Sequence, residues 1–303
     1  FTQKRGKKQM GYIFTILVLL AGATKGFCGK KISNYTTHPQ DAAYYNVIRM
    51  FICIIIGGVL VMLEGTGFAV SPKVLLISAL SGLSLAVMVI SWVMAARKSV
   101  YMLVDVYCTL SVAIPLALSF IFYGETIDLY DVIGLTLLVA ATYLIAGYSA
   151  NTKKQKLKLP EYAVLFLVFL SIGFCNFLQK VFVNNSNGTS VTVFNFYTYV
   201  FAAVGLLVFL LFSKKEPKGE KTKSQSKPYI LACFMALALF CNSLFATLAA
   251  ERLSAVQLYP LTLGSTNALA PIMAAIFFDE KPKPRLIVGV ALCFSGLIIM
   301  NLL

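Results

Sequence analysis

The sequence predicts an all-α integral membrane protein, in which ten transmembrane helices form two inverted five-helix repeats around a central cavity. Three observations lead to this fold class. The 303 residues are 59% hydrophobic and only 13% charged, and a mean hydropathy of +0.82 excludes a water-soluble surface for most of the chain. Apolar stretches long enough to cross a ~30 Å hydrocarbon layer recur along the whole length. The two halves also share a pattern of residues.

The apolar stretches number ten, and short polar linkers separate them. Their apolar runs are continuous and lack the period-two alternation of membrane β-strands, which favours helices. The predicted spans lie near residues 12–32, 44–64, 73–95, 100–122, 128–148, 161–183, 190–212, 228–250, 254–278 and 284–302.

The first span has an alternative interpretation. Lys4, Arg5, Lys7 and Lys8 precede an apolar stretch that ends in residues 21–23, Ala-Gly-Ala, and this pattern is also typical of a cleavable signal peptide. A corresponding span in the second half favours a retained transmembrane helix.

The internal repeat is clearest in two blocks that begin with a proline and end with a glutamate. Residues 115–125 read PLALSFIFYGE, and residues 271–280 read PIMAAIFFDE. A polar turn follows each block, and then an apolar helix that contains Gly134 in the first half and Gly289 in the second. Five spans per half is an odd number, so the second half must enter the membrane from the opposite side, as in the inverted repeats of secondary transporters.

The predicted domain organisation follows from this repeat. The first five-helix repeat takes residues 1–150, a basic linker takes 151–160, and the second, inverted repeat takes 161–303. A proline within a span is a place where a helix can bend. Such prolines are Pro115, Pro260 and Pro271.

The two proline-to-glutamate blocks and the glycine helices after them resemble the drug/metabolite transporter superfamily and, within it, the ten-helix EamA-like proteins. The resemblance covers essentially the whole chain. It implies transport of amino acids, other metabolites, nucleotide sugars, phosphorylated sugars or quaternary amines, so it leaves the substrate open. It also implies a structural role for Glu125 and Glu280, which would cap the next helix or hold a loop.

The basic residues predict the orientation in the membrane. The linkers after spans three, five, seven and nine contain 15 of them, whereas the opposite side has only Lys73, Arg252 and the N-terminal tail. Basic linkers face the cytoplasm, which predicts cytoplasmic odd-numbered linkers in the plasma or bacterial inner membrane. The resemblance implies the reverse, because both termini of such proteins are usually cytoplasmic.

Charged residues inside the spans are candidates for a substrate-binding site, since a charge in hydrocarbon is costly. Helical rise places Lys25, Arg49 and Asp105 near the face of the odd-numbered linkers, where we expect them to form a cluster. Its excess of positive charge suits an anionic or zwitterionic substrate. In the alternative, Arg49 extends to the interface and Lys25 pairs with Asp105 to hold helices together. If transport is proton-coupled, Asp105 is the first candidate to carry the proton.

Lys180, near the opposite face, is either a second gate residue or an interfacial lysine. Polar and aromatic side chains complete the candidate substrate-binding set: Trp92, Tyr101, Tyr107, Asn176, Asn242, Tyr259 and Asn267. The alternative for each is a helix–helix hydrogen bond or an interfacial aromatic. Asn176 and Asn242 are the stronger candidates, because an amide at mid-depth needs a hydrogen-bond partner.

Other motifs point away from catalysis and metal binding. The seven cysteines form no Cys-x-x-Cys pair and are interpreted as packing residues. His38 is the one histidine, so neither a histidine-based metal site nor a Ser-His-Asp triad is available. An ATP-binding Gly-x-x-x-x-Gly-Lys motif is absent from the sequence. Gly22 and Gly26, four residues apart, predict close helix packing.

The leading hypothesis is a secondary transporter, not an enzyme, that moves a small polar metabolite by alternating access. The metabolite would be an amino acid, a related zwitterion or an organic ion. The alternative is a lipid-carrier flippase or another non-transport membrane protein. Expected partners are a small-molecule substrate, membrane lipid and, in a proton-coupled mechanism, a proton. A homodimer is compatible with the sequence, and no cofactor is expected. Nucleic acid is not an expected partner, because the +14 net charge is scattered over linkers.

Overall fold

A computed structural model describes residues 2–33, 39–97, 101–146, 159–213, 227–277 and 284–302. All regular structure in these ranges is helical. The helices are α1 (Thr2–Ser33), α2 (Pro39–Glu64), α3 (Pro72–Arg97), α4 (Tyr101–Leu110), α5 (Ala113–Tyr123), α6 (Leu129–Ala146), α7 (Leu159–Asn185), α8 (Val191–Phe212), α9 (Lys227–Ala250), α10 (Ala255–Phe277) and α11 (Pro284–Leu302).

These helices correspond to the ten predicted spans, and α4 and α5 together form the fourth. The break between them has a chemical cause, because Pro115 has no N–H to bond the Ser111 carbonyl four residues earlier. The Ile114 N–H bonds that carbonyl instead, at 3.2 Å, in a tighter turn. Helix α10, by contrast, is continuous through Pro260 and Pro271, so only the first of the three prolines lies beside such a break.

The outer surface of the helices is apolar. Leu20, Ile55, Met62, Phe122 and Leu211 are each 61–81% exposed, which a water-soluble protein would avoid over so large an area. Six of the described helices are long and apolar enough to cross a membrane, and shorter apolar helices accompany them. The chain is therefore a multi-pass membrane protein.

The packing of the helices has a two-fold pattern that matches the sequence repeat. When the first five spans are matched with the second five, α1 corresponds to α7 and α3 to α9. Helix α1 packs along α9, and α7 packs along α3 in the same way. Helix α2 packs on its counterpart α8, and α6 packs on its counterpart α11. The two repeats are inverted, since each contains an odd number of spans.

Two of these helix pairs meet at glycines. A Cβ atom added to Gly134 would lie 2.7 Å from the Gly296 carbonyl oxygen, and one added to Gly296 would lie 2.8 Å from that of Gly134. A Cβ at Gly82 of α3 would collide with the Thr198 carbonyl of α8. The backbones of α6 and α11, and of α3 and α8, are thus in direct contact. The close packing predicted at Gly26 is wrong for the part of the chain that the structure describes, because no atom of it lies within 4 Å of a Cβ there.

Successive spans alternate in direction, so four of the linkers lie together at one end of the bundle, which we name the even-linker end. These linkers are residues 65–71, 124–128, 186–190 and 251–254. Lys180 lies near this end, five residues before the end of α7. Lys25 lies toward the other end, eight residues before the end of α1.

Candidate functional site

Lys180 and Glu125 form a buried ion pair at the even-linker end. Lys180 Nζ lies 2.9 Å from Glu125 Oε1, and the two side chains are 9% and 17% exposed. The same ammonium group donates a hydrogen bond to the Leu253 carbonyl at 3.0 Å. Glu125 follows α5 in the first repeat, whereas Lys180 and Leu253 belong to the second. The ion pair therefore joins the two repeats.

The second oxygen of Glu125 caps helix α10. Glu125 Oε2 accepts a hydrogen bond from the Ala255 N–H at 2.7 Å, at a helix start where N–H groups lack partners and the helix dipole favours a carboxylate. The resemblance implies that Glu125 caps the next helix, α6, or holds a loop, and the helix that it caps lies in the other repeat. Asp131 caps α6 instead, since its Oδ2 accepts from the Asp128 N–H at 2.9 Å. Glu280 lies outside the described residues.

Asn176 and Tyr259 meet one helical turn deeper than Lys180. The Tyr259 hydroxyl of α10 donates to the Asn176 backbone carbonyl of α7 at 2.7 Å, and Tyr259 is only 1% exposed. The side-chain Nδ2 of Asn176 is buried without a hydrogen-bond partner among the described residues, as is Oε1 of Gln179. An unpaired buried polar group costs about 1–3 kcal/mol, so a ligand that paired with it would bind favourably.

Lys25 of α1 and Arg49 of α2 interact electrostatically. Arg49 is only 7% exposed, and within the described part of the chain its Nε has no hydrogen-bond partner. Lys25 also interacts with Cys108 of α4 and Cys175 of α7, so it faces the bundle. The structure thus brings together two members of the predicted cluster, while the side chain of Asp105 lies outside the described residues.

Cys175 lies where helices of both repeats converge. Its side chain is hydrogen-bonded to Ser81 of α3, and it lies near Lys25 of α1, Tyr199 of α8 and Tyr259 of α10. This cysteine was predicted only as a packing residue. Its position beside Asn176 means that polar groups from α1, α3, α7, α8 and α10 surround one interior region.

Asn242 has a helix–helix hydrogen bond, which was the alternative interpretation for this residue. Its Nδ2 donates to the Val18 carbonyl at 3.0 Å and links α9 to α1. The adjacent Ser243 hydroxyl donates to Asn195 Oδ1 of α8 at 2.6 Å. These hydrogen bonds connect α9 to α1 and α8, and the Nδ2 of Asn242 has a partner without a ligand.

Trp92 and Tyr107 are both partly buried and pack against one apolar cluster that α3, α4 and α7 share. Trp92 lies five residues before the end of α3, and Tyr107 lies six residues after the start of α4, so both are on the side of the bundle opposite the even-linker end. The side chains of Tyr101 and Asn267 lie outside the described residues.

Sequence reasoning missed Gln179 and the partner of Lys180. Asn176, Gln179 and Lys180 have the spacing i, i+3, i+4 that places three side chains on one face of a helix, and this polar face in an apolar span was visible in the sequence. Glu125 could not be paired with Lys180 in the same way, because the two residues are far apart in the chain.

A cavity of about 350 Å³ lies at the even-linker end, between the linker after α2 and the linker after α7. None of the predicted site residues lines it. Its walls are formed by Thr66, Gly67, Ala69, Val70, Ser71, Asn187, Gly188, Thr189, Ser190 and Val193.

Ten membrane spans, two inverted repeats and buried polar groups between them define a multi-pass membrane protein of the transporter class. The chain belongs to the EamA-like transporter family, whose model matches residues 9–147 and again residues 159–302. Members of this family are membrane transporters of the drug/metabolite type.

Among solved structures, one described as "Crystal structure of protein" has the same fold. It is 14% identical in sequence, with a TM-score of 0.75 over 98% of this chain and 97% of that chain. At this identity the likeness concerns the fold alone. No curated protein matches the chain.

Proposed function

We propose that this protein is a secondary transporter that carries a small polar metabolite across the plasma or bacterial inner membrane by alternating access. The metabolite is an amino acid, a related zwitterion or an organic ion. One observation carries the proposal: Arg49 Nε, Asn176 Nδ2 and Gln179 Oε1 are buried and unpaired among the described residues. Buried polar groups are normally hydrogen-bonded, and a polar substrate between the repeats would supply the missing partners.

The ion pair at the even-linker end supports an alternating-access mechanism. Lys180 and Glu125, with Leu253 and the start of α10, hold the two repeats together at that end. Inverted repeats can exchange their arrangements and so open a site to one side at a time. To release a substrate at the even-linker end, the repeats must separate there, and the ion pair must break.

A thermal-unfolding screen of the purified protein tests this proposal. The protein would be screened against amino acids, organic acids, amines, sugars and sugar phosphates, because a ligand that binds the folded state raises its Tm. Each compound that raises the Tm would then be tested for counterflow in proteoliposomes. We expect one class of soluble metabolite to raise the Tm and to exchange across the membrane.

Two asparagines of α7 provide a matched pair of variants. Asn176→Ala removes an unpaired buried amide, so we expect weaker substrate binding. Asn185→Ala removes an amide that donates to the Val181 carbonyl of its own helix at 2.7 Å, so binding should stay unchanged. Failure of every soluble metabolite to exchange, together with movement of a fluorescent lipid between leaflets, would instead indicate a flippase.

A further inference from the structure

We propose that the substrate carries an anionic oxygen group, a carboxylate or a phosphate, and that Arg49 and Lys25 bind this group. The inference rests on the proposed transport function and narrows its substrate class from polar metabolites to anions.

Arg49 is the principal ligand for the anion. It is 7% exposed, and its Nε lacks a hydrogen-bond partner among the described residues. A guanidinium group presents its N–H donors as a planar fork that fits the two oxygens of a carboxylate or phosphate. The buried, unpaired Nε of Arg49 is unfavourable, and an anionic ligand that accepts its hydrogen bond would remove that penalty.

Lys25 adds a second positive charge to the same region, since it interacts electrostatically with Arg49. Like charges repel, so the pair is costly unless a negative charge lies between or beside them. Lys180 does not share this requirement, because Glu125 neutralises it at the even-linker end.

Among the described side chains, no carboxylate is paired with Lys25 or Arg49. Asp105 is the one acidic residue well inside a predicted span. Even when Asp105 pairs with either Lys25 or Arg49, one positive charge is left over. A substrate with an anionic group balances that charge, whereas a neutral or cationic substrate does not.

The surroundings of the two cations come from the other repeat. Arg49 interacts electrostatically with Tyr199 of α8, and Lys25 with Cys175 of α7. An anion held by the cations of the first repeat would therefore touch helices of the second. Alternating access needs its substrate at this position, because the movement of one repeat against the other then exposes it to each side in turn.

Matched probes test the charge of the substrate. Full-length protein in phosphatidylcholine nanodiscs would be titrated with lactate and lactamide, and with glycerol 3-phosphate and glycerol. In at least one pair we expect the anion to raise the Tm and its uncharged partner to have no effect. The lactate pair distinguishes a carboxylate ligand from the phosphate ligand of the second pair.

Three variants locate the binding group. Arg49→Gln should weaken the Kd of the active anion roughly 10- to 100-fold, as expected for loss of a hydrogen bond to a charged group. Arg49→Lys keeps the positive charge but loses the planar fork of donors, so it should also bind the anion less tightly. This variant replaces Arg49→Gln in the experiment if Arg49→Gln does not fold. Lys31→Met is the control, because Lys31 is an exposed lysine at the end of the same helix as Lys25, and its Kd should equal that of the unmodified protein.

Three results would overturn the inference. If a metabolite without a carboxylate or phosphate exchanges in proteoliposomes and every compound with such a group is inactive, the protein is a transporter but its substrate has no anionic oxygen group. If no soluble compound binds or exchanges, the proposed function fails and the inference fails with it. Stabilisation only by phosphatidylglycerol, and only with Arg49 intact, would identify the anion as a lipid headgroup and exclude it as a transported metabolite.

Discussion

Lysines in apolar helices differ in what the fold places beside them. Lys180 and Lys25 are both lysines within predicted spans, and the sequence predicts only that they lie toward opposite faces of the membrane. In the structure, Lys180 has a carboxylate partner and a carbonyl acceptor, whereas Lys25 experiences the positive charge of Arg49. The first lysine therefore holds the two repeats together, and the second is one of the two cations that we propose bind the substrate.

Loss of either partner in the Lys180–Glu125 pair should destabilise the protein. We expect Lys180→Met or Glu125→Gln to lower the free energy of unfolding by roughly 3–5 kcal/mol, because the remaining group is left without its partner in a buried position. The double variant should lose less than the sum of the two single losses. Unfolding in mixed detergent micelles measures all three.

The exposed pair of Glu251 and Arg252 is the control for this experiment. Its atoms are 3.2 Å apart, but the side chains are 27–36% exposed, so solvent screens their attraction. Glu251→Gln should cost under about 1 kcal/mol. Strictly additive losses in the Lys180 and Glu125 variants would show that their interaction does not stabilise the fold.

Asp105 carries a prediction that rests on the sequence. Asp105→Asn should abolish transport and leave the protein folded in detergent, since a carboxylate in the membrane interior requires a cationic partner or a proton. Transport assays and size-exclusion chromatography would check the two parts. A variant that still exchanges substrate but cannot concentrate it would assign the coupling proton to Asp105. Transport at the normal rate would contradict the prediction.

A proline and a pair of glycines determine the shape and the packing of individual helices. The fourth span is divided into α4 and α5 at Pro115, and α6 touches α11 through facing glycines. Both features depend on an atom or group that the residue lacks. Proline has no backbone N–H, and glycine has no Cβ. At the scale of elements, the contact between α6 and α11 joins the last span of each repeat.

Gly134→Ala should weaken that contact. The new Cβ would lie 2.7 Å from the Gly296 carbonyl oxygen and also collide with Met300, so the two helices must move apart. We expect a loss of about 1–3 kcal/mol in the free energy of unfolding, typical of an overpacked interface.

Gly26→Ala is the matched control for the glycine experiment. It introduces the same Cβ into another membrane helix, but no atom of the described residues lies within 4 Å of it. Since alanine favours helix over glycine by up to about 1 kcal/mol, this variant should be as stable as the unmodified protein or slightly more so. Equal effects of the two substitutions would mean that α6 and α11 do not depend on close backbone contact.

The molecule as a whole must be oriented in its membrane, and the basic linkers predict the direction. A membrane-impermeant maleimide should label Asn187→Cys in intact cells, because Asn187 is exposed at the even-linker end. Lys218→Cys, in the linker between α8 and α9, should be labelled only after the cells are permeabilised. The unmodified protein gives the background from its native cysteines. The reverse result would support the orientation usual for the family.

The sequence by itself determined the ten spans, the two-fold repeat and its inversion. The length of an apolar stretch is a local property of the sequence, and a stretch long enough to cross the bilayer does so as a helix. An odd number of spans per repeat then leaves only the inverted arrangement. The observed helices end within a few residues of the predicted ones, except at α1, which starts at Thr2, and α2, which starts at Pro39.

Tertiary structure alone decided which polar groups have partners. Glu125 was expected to cap the next helix or to hold a loop, and in the structure it caps α10 and pairs with Lys180, at sites remote in the chain. Close packing occurs at Gly134 and not at Gly26. A membrane helix has no hydrophobic driving force to choose its neighbour, so spans of similar composition differ only in shape and in a few polar contacts. Those contacts form between residues distant in the chain, and local sequence patterns do not contain them.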